Sequence, residues 1–216
     1  GVSAIKNFTL WTAVLSVMPN SNCTAFQRSG LWRDSLLRGL FSRHTGRLLK
    51  VDDPEELFVA ALLQDLALPL LVQKWPDEYS ELLQFRAATG ARLSSLEQDR
   101  FGWNHGDAGK LMCRQWGLPA AFGELIAGHV HFDETASSVD GRILAVGLSS
   151  LLPSAIESEW RERDRFVSAF ELCVPGVTLV DTLTDVDTCF EEFGKMFGVS
   201  GKSQSLIQRF EACALA

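Results

Sequence analysis

The chain has 216 residues, with 20 basic and 27 acidic side chains and a formal net charge of −7. A chain of this size can bury about 70% of its surface, so one sizeable core needs neither disulfides nor a structural metal. Hydrophobic content of 46% and charged content of 22% exclude a disordered chain. The acidic balance offers no basic footprint for nucleic acid or an anionic membrane.

Taken in chain order, the periodicity is helical almost throughout. Ile5, Phe8, Trp11, Leu15 and Met18 fall at helical spacing and predict an amphipathic helix, capped by Ser3 and ended by Pro19-Asn20-Ser21-Asn22. A second helix is predicted over about Leu31 to Leu49. Asp53-Pro54-Glu55-Glu56 is a helix start, with Asp53 as the cap and Pro54 in the first turn. The third helix is predicted to run from there to a bend or stop at Pro69. Its apolar stretch, Leu57 to Val72, is interrupted by Gln64, Asp65 and Pro69 and is too short to span a bilayer. A short helix around Asp77 to Phe85 and a loop containing Gly90 follow. Asn104, with Asp107 three residues on, caps a helix to Trp116; Gly117 stops it and Pro119 opens the next. A polar stretch, Phe132 to Asp140, precedes a helix at about Arg142 to Leu152. Glu157 to Arg165 is highly charged and reads as a solvated helix. Val177-Thr178-Leu179-Val180 is the one candidate strand. Leu183, Val186, Phe190, Phe193 and Phe197 return to helical spacing, and Ser203 to Leu215 is read as a last helix. The fold class is therefore all-α.

The five cysteines (Cys23, Cys113, Cys173, Cys189 and Cys213) are odd in number, widely spaced and without a CxxC pair. They read as reduced thiols of a cytoplasmic protein. Tryptophans 11, 32, 75, 103, 116 and 160 lie along the helices as core and helix-crossing residues. His44 reads as a helix-face residue, and neither Ser35 nor Ser149 has an evident base partner. No phosphate loop, nucleophile elbow or Cys/His nucleophile spacing occurs.

The groups that could carry chemistry are few. Asp65 interrupts an apolar face, where a carboxylate is costly unless paired or hydrogen-bonded. It is either a metal ligand or acid/base group, or an anchor bonded to backbone or to a nearby arginine. His105 stands in the first turn of a helix, and His129 and His131 at the end of the next. Histidines and an aspartate in a helical bundle can make a metal site. Here, however, there is no HExxH, no Glu-x-x-His pair and no Cys/His cluster to mark one.

Six short segments in order carry a resemblance. Leu31-Trp32-Arg33-Asp34-Ser35-Leu36 is similar to a "W-x-x-S" helix, and Ala61-Leu62-Leu63-Gln64-Asp65-Leu66 to the "LLHDIG" segment of HD enzymes. Glu97, Gly102, His105 and Gly109 match "E-x4-G-x2-H-x3-G", followed by Trp116-Gly117-Leu118-Pro119. Ile126 to His131 occupies an "I-x-x-HH" place, and Arg142 to Gly147 looks like the helix bearing the last HD ligand. The chain thus resembles the HDOD family, degenerate relatives of the HD and HD-GYP metal-dependent phosphohydrolases.

That resemblance implies an HD-like helical bundle over 1–152 and a helical extension over 153–216. Family helices that precede the stretch like Val2 to Met18, with an "A-N-S" segment, have no counterpart here. In the HD ligand places stand Asp34, Gln64 and Gly147 in place of a histidine, a histidine and an aspartate, and Asp65 alone is retained. The resemblance therefore implies no catalytic residues, no metal and no cofactor, with Asp65, His105, His129 and His131 left as cleft residues. It implies a regulatory module of bacterial signal transduction, with a link to cyclic-di-GMP. Its partners would be other signalling proteins or adjoining output domains, with a homodimer among the expected states. Two alternatives stand beside it. One is a divergent metal phosphohydrolase using Asp34, Asp65, His105, His129 and His131. The other is a nucleotide sensor using Arg33, Arg38 or His105.

Overall fold

The computed structural model describes residues 28–132, 140–155, 159–197 and 204–212, together with Thr9, Cys23, Ala25, Phe26 and Glu157. Apart from Thr9, the helix predicted from Ile5 to Met18 lies outside these residues, as do nearly all of the polar stretch before Asp140 and both ends of the predicted last helix. Every regular element among the described residues is a helix. In order they are α1 (Arg28–Leu48), α2 (Pro54–Leu62), α3 (Leu68–Lys74), α4 (Pro76–Thr89), α5 (Leu93–Phe101) and α6 (His105–Gln115). They continue as α7 (Ala120–Gly128), α8 (Gly141–Ser149), α9 (Arg163–Cys173), α10 (Leu179–Phe197) and α11 (Leu206–Ala212).

Local chemistry sets several of these boundaries. The Asp53 carboxylate accepts from the Glu55 and Glu56 amides at 3.2 and 3.4 Å and starts α2, with Pro54 in its first turn. Asn104 accepts from the amides of Gly106 and Asp107 at 2.9 and 3.2 Å, while Asp107 accepts from the Asn104 amide at 3.1 Å. This reciprocal box fixes His105 as the first residue of α6. Gly117, at φ 69°, ends the turn after α6 in a left-handed conformation that favours glycine.

Three expectations are corrected. The helix begun at Asp53 does not run to Pro69: it ends at Leu62, and residues 63–67 form tight turns before α3. Pro69 has no N–H for the Asp65 carbonyl, which instead accepts from the Leu68 amide at 3.0 Å. Gln64 and Asp65 therefore stand on a turn, not on a helical face. Val177 to Val180 forms no strand, because Leu179 already opens α10 and the Thr178 carbonyl accepts from the Thr182 amide at 3.2 Å. The charged stretch from Glu157 to Arg165 is not one solvated helix. Helix α9 begins only at Arg163, and Trp160 is buried with its Nε1 donating to the Leu151 carbonyl at 2.9 Å.

Helix α1 runs through the middle of the molecule, packed on α2, α8 and α10. Its Leu36, Leu40 and Phe41 are fully buried, and the Phe41 ring lies 5.5 Å from Phe166 and 6.3 Å from Phe170. This core is continuous from Leu36 to Leu206, across the junction near Pro153. A smaller cluster of Leu68, Val72, Tyr79 and Leu93 forms beneath α3 to α5. Trp75, Phe101 and Trp103 stack beside it, but Trp116 is 45% exposed, against the expectation of a packing role. Cys23, Cys113, Cys173 and Cys189 are thiols, not half-cystines. No helix among the described residues is long and apolar enough to cross a membrane.

Candidate functional site

The two clusters meet at a buried polar centre assembled from five places in the chain. Helix α1 supplies Asp34 and Arg38, the turn between α2 and α3 supplies Gln64 and Asp65, and α5 supplies Glu97. The start of α6 supplies His105, and the residue capping the end of α7 is His129. Asp65 Oδ1 lies 3.3 Å from His105 Nε2 and 3.5 Å from His129 Nε2, and the two imidazole nitrogens are 3.1 Å apart. The outer nitrogens are fixed as well: His105 Nδ1 bonds Glu97 Oε2 at 2.5 Å and His129 Nδ1 donates to the Ile126 carbonyl at 2.5 Å. Glu97 is itself held by the Tyr79 hydroxyl at 2.8 Å and the His105 amide at 2.8 Å. On the other side of Asp65, Arg38 Nη1 pairs with Oδ2. The Gln64 amide oxygen, in the orientation that satisfies its hydrogen bonds, accepts from Arg38 Nε at 3.1 Å and Nη1 at 3.3 Å.

The electrostatics follow from this packing. Burial opposes ionisation of Asp65, but Arg38 and the His105 imidazolium outweigh it and hold the carboxyl well below its usual range. Burial also opposes charge on His105, yet the carboxylates of Asp65 and Glu97 raise it to about 9. For His129 burial prevails over Asp65 and the value falls, so this ring is neutral, with its donor spent on Ile126. Burial raises Asp34 despite Arg38 nearby.

The His105 shift has a testable sign. The folded state keeps its proton up to about pH 9, whereas an unfolded histidine loses it near pH 6.5. Its stabilisation is complete below about pH 6.5 and lost as the pH rises to about 9, with a slope of at most about 1.4 kcal/mol per pH unit. Urea melts between pH 6.5 and 9.5 should show this decline in the wild type and a flatter profile in His105→Gln. Parallel profiles would remove His105 as its source.

Of the residues singled out in the sequence, Asp65, His105 and His129 come together and His131 does not: it is exposed, outside the cluster. Asp34 is buried but tied elsewhere, its carboxylate accepting from Ser154 Oγ at 2.6 Å and the Ala155 amide at 2.8 Å. Arg33 also points away from the cluster, its Nη2 donating to the Gln204 carbonyl at 3.0 Å. At Gly147 a side chain has no room, since a Cβ there would stand 2.1 Å from Phe132 Cδ2. Ser149 donates to the Val146 carbonyl at 2.6 Å, a bond within its own helix. The partner of Asp65 was left open by the sequence, and Glu97 carried no role; its place in the motif with His105 was the signal available.

Three donor atoms of this cluster fit one metal ion. Asp65 Oδ1, His105 Nε2 and His129 Nε2 lie 3.1 to 3.5 Å apart, close to the edge of a tetrahedron around an ion with bonds of about 2.0–2.2 Å. Glu97 and the Ile126 carbonyl hold the outer nitrogens as supporting groups do around metal-bound histidines. The fuller set of an HD hydrolase does not fit. Asp34 is committed to Ser154 and Ala155, Gln64 is neutral and bonded to Arg38, and the place of Gly147 is filled by the Phe132 ring.

A helical bundle with an Asp-His-His cluster at its centre defines an HD-like protein. The family model for the HDOD domain matches residues 1–132, and the chain belongs to that family. No curated protein matches significantly. Among solved structures, the MmoQ response regulator from Methylococcus capsulatus str. Bath is 23% identical, with a TM-score of 0.56 over 77% of this chain and 64% of that one. This chain therefore spans under two thirds of MmoQ. A presumed phosphohydrolase from Shewanella amazonensis SB2B matches at 16% identity and TM-score 0.65, over 92% of this chain and 70% of its own. An HDOD domain protein of unknown function from Geobacter sulfurreducens matches at 15% identity and TM-score 0.62, over 88% and 69%. At these identities the likeness establishes the fold.

Proposed function

We propose that this domain is a non-catalytic signalling module, acting in bacterial signal transduction through contact with other signalling proteins or adjoining output domains. The observation that carries the reading is the Arg38–Asp65 pair. The one retained aspartate of the HD set is matched by an internal cation, and the same guanidinium engages Gln64 where the HD enzymes carry a histidine. Hydrolysis of a phosphoester by two metals needs ligands for both ions and a place for the attacking water. Asp34, Gln64 and Gly147 supply none of the missing ligands. The response-regulator description of MmoQ agrees with a role in signalling.

A second reading rests on the triangle of Asp65 Oδ1, His105 Nε2 and His129 Nε2, which can hold a single divalent ion as in a reduced phosphohydrolase. Two measurements separate the readings: calorimetric titration with Zn²⁺ and Mn²⁺, and turnover on a panel of phosphomonoesters and phosphodiesters. The expected outcome is no turnover with either ion, whether or not one binds. Metal-dependent turnover that disappears in Asp65→Ala would overturn the non-catalytic reading.

A further inference from the structure

Beside the cluster lies a partly open cleft of about 70 Å³, room for several water molecules. Four guanidinium groups line it in a protein whose net charge is −7: Arg38 from α1, Arg86 from α4, Arg92 just before α5, and Arg161. Three carboxylates, those of Asp65, Glu157 and Glu162, oppose them. The arginines and carboxylates of the lining alone thus leave an excess of one positive charge, against the sign of the whole molecule. Arg161 is spent on backbone, donating to the Arg86 and Ala87 carbonyls at 3.3 and 2.8 Å.

The other arginines keep donors in reserve. Arg86 gives Nη2 to Glu157 at 2.7 Å, and its Nε and Nη1 have no protein partner among the described residues. Arg92 gives Nη1 to Glu162 at 3.0 Å and Nη2 to Ser150 Oγ at 3.2 Å. Arg38 Nη2 likewise lacks a protein partner among the described residues. These side chains are 11 to 28% exposed, so their spare donors sit in a sheltered, incompletely hydrated place. Guanidinium forks match the paired oxygens of a carboxylate or a phosphoryl group. Glu157 and Glu162 already present such oxygens to two of the three.

We propose that this cleft binds a small phosphate-bearing anion, held by Arg38, Arg86 and Arg92, with Glu157 and Glu162 as the internal carboxylates it competes against. The inference concerns binding alone, so it goes beyond the non-catalytic reading and does not require it.

Titration calorimetry with inorganic phosphate, pyrophosphate and adenosine monophosphate tests it, each against sodium chloride at matched ionic strength. Wild type should bind at least one of the three, and which binds most tightly distinguishes free phosphate from a phosphate ester. Glu162→Gln, which releases Arg92, should tighten binding about fivefold. The double variant R92Q/E162Q removes both members of the pair and leaves no buried unmatched charge. It should melt like the wild type and bind at least about tenfold more weakly. Binding no stronger than chloride at matched ionic strength, or R92Q/E162Q binding as wild type does, would overturn the proposal. Release of inorganic phosphate from the monophosphate, followed in the same samples, reports on catalysis separately from binding.

Discussion

Replacing Arg38 by alanine should cost about 3–5 kcal/mol, because it leaves the buried carboxylates of Asp65 and Glu97 with a single counter-charge, His105, between them. The side chain is only 11% exposed and its charge faces Asp65 and Asp34 together. Its loss also strips the Gln64 oxygen of both donors. For a chain of this length the loss corresponds to a fall in melting temperature of roughly 6–20 °C. Arg38→Met keeps most of the volume and should be nearly as damaging, which separates charge from packing. Adding Asp65→Asn to Arg38→Met should recover part of the loss, since two neutral side chains bury no net charge. Zn²⁺ should raise the melting temperature of Arg38→Ala more than that of wild type, as an ion at the Asp65–His105–His129 triangle replaces the missing cation. A loss below about 1 kcal/mol would place Arg38 among ordinary surface pairs and remove the main support for a metal-independent centre.

The legible parts of the fold were those in which one short segment decides the outcome. Asp53 and Asn104 announce α2 and α6 because an N-cap acts on amides two and three residues away. Gly117 announces a stop because the left-handed conformation is a local demand. Val177 to Val180 misled for the same reason, since β-branched residues favour a strand until a helix start claims them. In the charged stretch from Glu157 to Arg165, composition alone cannot tell a solvated face from side chains turned toward a cleft. Glu157 and Glu162 turn inward because Arg86 and Arg92 meet them from more than 60 residues away.

The site divides along the same line. The spacing of His105 and His129 is not one that a single helix can bring to one metal, so their residue types alone marked nothing. The resemblance to the HD ligand places is what drew Asp65, His105, His129 and His131 into one cleft; the structure places the first three side by side and His131 outside. Arg38 is harder to see. The sequence offers it only as a nucleotide-holding residue of the cleft, and it is the turn at residues 63–67 that brings Asp65 against it.

Gly147 gives the sharpest test of whether the place of the last HD ligand can accept a side chain. Glycine inside a helix is ordinarily improved by alanine, by about 1 kcal/mol. Here the sign should reverse. A Cβ at this position would stand 2.1 Å from Cδ2, 2.5 Å from Cγ and 2.9 Å from Cε2 of the buried Phe132 ring. The ring must move, and overpacking of this kind costs about 1–3 kcal/mol. Phe132→Ala alone should cost about 3 kcal/mol through the cavity it leaves. In the double variant the alanine methyl enters space the ring has vacated, so the combined loss should fall short of the sum by at least about 1 kcal/mol. The same logic governs Gly147→Asp, which restores the residue type of the last HD ligand. Alone it should weaken the fold without adding metal affinity, because Phe132 occupies the place its carboxylate needs. Paired with Phe132→Ala, it should bind Mn²⁺ more tightly than either single variant in calorimetry. If Gly147→Ala stabilises the protein, the ring and the glycine are not in contact, and the lost ligand is a simple substitution on an otherwise intact HD scaffold.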